Sequence, residues 1–339
     1  MQLLKQQLSN KWRFDMKRLF LLAPVAVLIG CGGGGGGSSG GGGGSSIPTV
    51  PFTTWSAVQP NTTTVVPGSS QEVSYLANAS TDTVTSISSV SPNETGANYF
   101  VTTNANNQAS AIGIRSARGT NVLFNTSNGS SLGSQIRYFA TPQRYARFTG
   151  ALTGDATSAA LAADERYSGW NYQSYGVWIT GRGTGSGTAG AASVGATTLG
   201  SNIPTTGSGT FTGTSAGLYV GPTGNYLVTT AFMTANVSFA NRTVNFNTVD
   251  TAGASAANAI NGNFGTLTPA LNLTGTLNYG AGSNRISGAV STAGSSNGSP
   301  MTGTATGNFY GPNANEIGGT FSVNGTGMET FAGAFGGKR

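Results

Sequence analysis

Histidine is absent from this sequence, and cysteine occurs once, at Cys31. The first absence removes the commonest general base and metal ligand. The second leaves no partner for an intrachain disulfide. Charged residues make up only 8% of the chain, and no apolar stripe of 3.6-residue period persists along it, which argues against a helical body. What is abundant is glycine, with 54 residues, and with it threonine, serine and asparagine.

The segment from Met16 reads MKRLFLLAPVAVLIGC. Two cations, Lys17 and Arg18, precede an apolar run from Leu19 to Ile29, the order of a secretory signal and too short a run to span a bilayer stably. The ending Leu28-Ile29-Gly30-Cys31 resembles the bacterial lipobox, which implies cleavage after Gly30 and acylation of Cys31. Residues 1–30 are thus expected to be removed, with 1–15 an upstream extension and Met16 the start. Gly32 in place of an aspartate resembles lipoproteins sorted to the outer membrane. Five of the 16 basic residues and one of the 10 acids lie in residues 1–30, so the mature chain carries a net charge of +2. No basic run survives cleavage, and no nucleic-acid partner is expected.

Residues 32–46 contain only glycine and serine. With Cys31 they form a lipidated tether over 31–46, a flexible coil spanning roughly 20–23 Å on average and at most about 50 Å. The rest reads as all-β, in short β-branched and aromatic runs punctuated by Gly, Asn and Pro. The alternation is sharpest in Leu271–Tyr279, where Leu271, Leu273, Leu277 and Tyr279 share one face and Asn272, Thr274, Thr276 and Asn278 the other. Eight such strands run from 208 to 339, enough for a soluble up-and-down β-barrel with a filled interior. A transmembrane barrel is disfavoured: a lipid anchor would be redundant, and the Thr/Asn faces suit a wall turned to water.

Residues 47–166 are expected to form a smaller, irregular β domain. Residues 167–207 should hold a bridging strand around Tyr172, Tyr175 and Trp178, followed by a mobile loop over 181–209 that is mostly Gly, Ser, Thr and Ala. The Ala-rich stretch 159–164 is the one expected helical turn. Arg137, Arg144 and Arg147 cluster among Tyr138, Phe139, Tyr145 and Phe148, a pattern read as a solvated strand face with arginine stems over aromatics.

The segment Gly307–Phe321, which contains Gly-Pro-Asn-Ala-Asn-Glu, and the terminal Phe331-Ala-Gly-Ala-Phe-Gly-Gly-Lys338 together resemble the last strands of the transferrin-binding protein B barrel. Tyr175-Gly-Val-Trp178 and the Phe239–Val244 turn are also similar to that family. The resemblance implies a handle domain followed by an eight-stranded barrel, on a lipid anchor at the cell surface. It further implies non-covalent capture of an iron carrier, haem or another host or environmental solute or protein for uptake, with an outer-membrane receptor or translocator as partner. Relatives with two handle–barrel lobes are longer; this chain has room for one. Independently of the family, Gly311-Pro312 should start a turn closed by the Asn313 side chain, with Glu316 at the turn or barrel rim.

Catalysis is disfavoured. The mature chain has nine carboxylates, no histidine and no free thiol, and its only adjacent acid pair, Asp164-Glu165, suits an exposed turn. No cofactor is implied, and lack of histidine argues against His-ligated haem. The competing expectation is a structural or adhesive envelope lipoprotein, which the Thr/Asn-rich faces suit equally well.

Overall fold

The strands of residues 208–339 carry small or apolar side chains at every second position, and this period rolls them into a closed barrel. They are β12 (Ser208–Val220), β13 (Tyr226–Ser238), β14 (Thr243–Ala254) and β15 (Leu273–Asn278). The wall continues through β16 (Arg285–Thr292), β17 (Thr302–Tyr310), β18 (Glu316–Asn324) and β19 (Thr330–Lys338). Each pairs antiparallel with the next, and β19 returns to β12 in register from Thr212↔Lys338 to Val220↔Thr330. The computed structural model describes residues 47–139, 144–265, 267–295 and 298–339. The signal segment, Cys31 and the tether lie outside the described residues.

Phe211, Met233, Phe246, Leu277, Ile286, Phe309, Phe321 and Phe335 fill the barrel, each no more than 1% exposed. The ring centroids of Phe246 and Phe335 lie 4.7 Å apart, and those of Phe321 and Phe331 4.9 Å apart. The interior is therefore a packed core of large side chains. Thr274, Thr276, Asn278, Thr302 and Thr304 point outward and are exposed, as the alternation predicts.

The preceding strands form a curled sheet. They are β1 (Thr49–Pro51), β2 (Thr63–Asn78), β3 (Thr83–Ile87), β4 (Glu94–Thr103), β5 (Ala109–Arg115) and β6 (Asn121–Asn125). After them come β7 (Ser131–Phe139), β8 (Arg144–Leu152), β9 (Ala159–Ala163), β10 (Gln173–Ile179) and β11 (Ser186–Gly195). Their order across the sheet is β6-β5-β4-β2-β11-β10-β9-β8-β7, with β1 and β3 added onto β2. The fold is all-β: a handle sheet and an eight-stranded up-and-down barrel.

Two expectations are corrected here. The stretch 181–209 is not a long mobile loop, because Ser186–Gly195 is a central strand paired to β10 and β2. The Ala-rich run is not a helical turn either: Ala159–Ala163 is strand β9, buried at every position. One cause explains both. Tyr175, Val177, Ala189 and Ala191 pack with Ala216, Leu218 and Ala334 of the barrel. On the opposite face, Trp178, Ala160 and Ala192 pack with Phe52, Trp55, Tyr99 and Phe124. A strand covered on both faces keeps no polar alternation, and close approach demands small residues. A Cβ on Gly190 would sit 2.2 Å from the Trp178 ring. The helical turn is displaced to α1 (Glu165–Ser168), capped by the Asp164 side chain and ended by Gly169 at φ 65°.

Candidate ligand-binding surface

The sequence of β7, SLGSQIRYF, and of β8, RYARFTGAL, carries aromatics and arginines on both faces of one hairpin. Register sorts them: Ile136 opposes Arg147 and Tyr138 opposes Tyr145 on one face, while Arg137 opposes Ala146 and Phe139 opposes Arg144 on the other.

The second face is held against the barrel. The Phe139 and Phe232 rings meet edge-on at 6.0 Å. The Arg137 guanidinium lies 5.0 Å over Phe139, and its Nη2 donates to the Asp250 carbonyl at 3.2 Å. Burial pulls the Arg137 pKa below its ordinary value. Arg144 lies 5.2 Å over Phe232 and donates from Nη1 to Thr212 Oγ1 at 3.3 Å.

The first face is turned to solvent. Tyr138 is 68% exposed and Tyr145 62%, with ring centroids 6.2 Å apart. Ile136 is beside them, and Arg147 stacks 3.3 Å over the exposed Tyr167. The other exposed large apolar residues, Leu76, Leu199 and Leu267, lie on three separate segments. Tyrosine, arginine and isoleucine converging on rigid strands have the composition of a protein-binding hot spot. Among the described residues neither Arg144 nor Arg147 is in an ion pair; those formed are Arg118–Glu94 at 2.7 Å and Arg182–Asp82 at 3.7 Å. Tyr167 is presented by α1, whose Asp164 cap also accepts from Ser134 Oγ at 3.3 Å. Next to it, burial pushes the Glu165 carboxyl up to about 7.

Handle and barrel are pinned together at several points. Glu316 is 1% exposed and accepts the backbone N–H groups of Asn171 at 2.7 Å and Tyr172 at 3.0 Å. As expected it stands beside the turn, at the first residue of β18, and there it is also a buried acceptor for the backbone entering β10. Burial raises its pKa, against the lowering effect of those N–H bonds and of Lys338. The turn before it is closed by Asn315 rather than Asn313, since Asn315 Oδ1 accepts the Asn313 N–H at 3.1 Å. Tyr175 hydroxyl meets Thr214 Oγ1 at 2.6 Å, and Ser193 Oγ meets Tyr310 hydroxyl at 2.8 Å. At the far end, Tyr226 hydroxyl donates to Asp82 Oδ2 at 2.6 Å, while Arg182 Nε donates to the same hydroxyl at 3.1 Å. The hairpin is thus displayed on a braced body.

Of the residues singled out from sequence, the structure brings Arg137, Arg144 and Arg147 together but divides them between two faces. Asp164 and Glu165 serve α1. Tyr138 and Tyr145 belong to the cluster read as a solvated strand face, and their cross-strand pairing is what the sequence does not show; aromatics at both odd and even positions of QIRYF and RYARF signal that one set must stay outside.

Residues 203–339 match the family model described as the C-lobe and N-lobe beta barrels of Tf-binding protein B. Solved structures similar to this chain include a point mutant of transferrin-binding protein B from Haemophilus parasuis Hp5. That match has 12% identity over 80% of this chain and 76% of that one, with a TM-score of 0.42. A point mutant of the Actinobacillus pleuropneumoniae H49 protein matches at 14% identity over 80% of this chain and 98% of that chain, TM-score 0.39. The isotype 1 protein from serogroup B Neisseria meningitidis matches at 12% identity over 87% and 78%, TM-score 0.36. No curated protein matches the chain in sequence.

Proposed function

We propose that this chain, whose residues 203–339 match the family model of the Tf-binding protein B beta barrels, is an outer-membrane lipoprotein, displayed at the cell surface, that captures a protein ligand for uptake. Acylation of Cys31 would anchor it, and the Gly/Ser tether would hold the body clear of the headgroups. The matched relatives are named for binding transferrin; for this chain the proposed ligand is an iron carrier or another host or environmental protein. The observation that carries the reading is the solvent-facing Tyr138–Tyr145 pair beside Arg147 and Ile136, on a hairpin fastened to the barrel. A packed barrel interior favours capture on an outer face over enclosure of a small solute. Capture rather than catalysis also suits a body without histidine or free thiol.

Protease treatment of intact cells should release the body, and a Cys31→Ser chain should no longer sediment with membranes. Protection of the body in intact cells, with cleavage only after lysis, would remove the surface-display part of the reading.

A further inference from the structure

Strand β9 pairs with β8 only from Phe148 to Leu152, so residues 144–147 of β8 have no strand on that side. The gap is closed by α1 and by β12 of the barrel, leaving a cleft of about 180 Å³ lined by Arg144, Arg147, Tyr167, Ser168, Thr212 and Thr214 among others. No carboxylate lines it. Asp164, which caps α1, is engaged by the Tyr167 N–H and Ser134 Oγ. The Tyr167 ring covers one face of the Arg147 guanidinium at 3.3 Å, so the N–H donors of that group radiate from its edge. Arg147 Nε is buried and has no acceptor among the described residues. Arg144 is steadied by Phe232 and by Thr212 Oγ1, and the floor is fixed by the Tyr175–Thr214 bond. Although the register puts them on opposite faces of the hairpin, Arg144 and Arg147 both line this cleft at the stretch of β8 that β9 leaves uncovered, and no carboxylate lines it with them. Planar forks of this kind match the oxygens of phosphate and carboxylate. The volume is below the roughly 300–1,000 Å³ of drug-sized pockets, which points to a solute of few atoms.

We propose that this cleft binds a small oxyanion, a phosphate or carboxylate group held between Arg144 and Arg147 with the Thr212 hydroxyl as a lesser partner. The site goes beyond protein capture by the Tyr138–Tyr145 face and does not depend on it: a small-anion titration reads the cleft whatever the hairpin captures.

The test is calorimetric titration of the full chain with inorganic phosphate and, separately, with citrate, whose relative affinities identify the favoured anion class. Saturable binding of at least one is expected, weakened tenfold or more in Arg144→Gln and in Arg147→Gln. Arg147→Lys, which keeps the charge but loses the fork, should lie in between; it also decides the matter if the glutamine variants fail to fold. Arg118→Gln, remote and already paired with Glu94, should bind as the parent does. Absence of saturable binding by both anions at millimolar concentration would overturn the proposal. So would an equal loss in Arg118→Gln, which would reduce the effect to diffuse charge.

Discussion

The carboxylate of Glu316, on the first residue of β18, accepts the backbone N–H of Asn171, 145 residues earlier, at 2.7 Å. One barrel side chain therefore satisfies the handle backbone just where it enters its central strand. Glu316→Ala would leave the buried N–H groups of Asn171 and Tyr172 without acceptors and is expected to cost about 2–4 kcal/mol. Glu316→Gln, which retains one acceptor oxygen, should cost about 1 kcal/mol. Urea unfolding at neutral pH distinguishes the two, and equal, negligible effects would show that the contact contributes nothing to stability.

Glu165 provides a pH-dependent term. Its folded pKa of about 7, raised by burial from 4.5, means that the folded chain holds more protons than the unfolded one between those values. Its contribution to stability therefore falls as pH rises through that window. Glu165→Gln should leave stability near pH 4 unchanged and raise it near pH 8 by on the order of 1–2 kcal/mol. Parallel stability–pH curves for parent and variant would contradict this.

The double-covered centre of the handle should tolerate no added atom at Gly190. Gly190→Ala places a Cβ 2.2 Å from the Trp178 ring and 2.7 Å from the Gln71 carbonyl. A loss of about 2–3 kcal/mol is expected from overpacking, read as a lower urea midpoint at unchanged m-value.

The exposed hairpin face should behave in the opposite way. Tyr138→Ala with Tyr145→Ala removes rings 68% and 62% exposed, so stability should change by no more than about 0.5 kcal/mol per residue. Recovery of protein ligand from the native environment should fall tenfold or more. Undiminished recovery would move the capture surface elsewhere.

The barrel was legible where its wall strands have one wet and one dry side, as β15, β16 and β17 do. Leu273 and Leu277 turn inward while Thr274 and Thr276 turn to water, and that contrast is written directly in the order of residues. Strands β9, β10 and β11 have no wet side, so Ser186–Gly195 and Ala159–Ala163 carry no alternation to read. Their small residues look like linker or helix when the barrel behind them is not known. At the candidate site, the arginine cluster was visible but its division was not. Phe232 and Tyr167, the rings that steady Arg144 and Arg147, lie on elements outside the hairpin. The place of Glu316 beside its turn was legible, but its role as an acceptor was not, since the N–H groups it serves lie about 145 residues away.

Strand β19 bonds to β12 and β18 at once, the first and seventh strands of the wall. The ring cannot shut until the nine residues Thr330–Lys338 are in place, so the other seven strands keep two unmatched borders until β19 joins them.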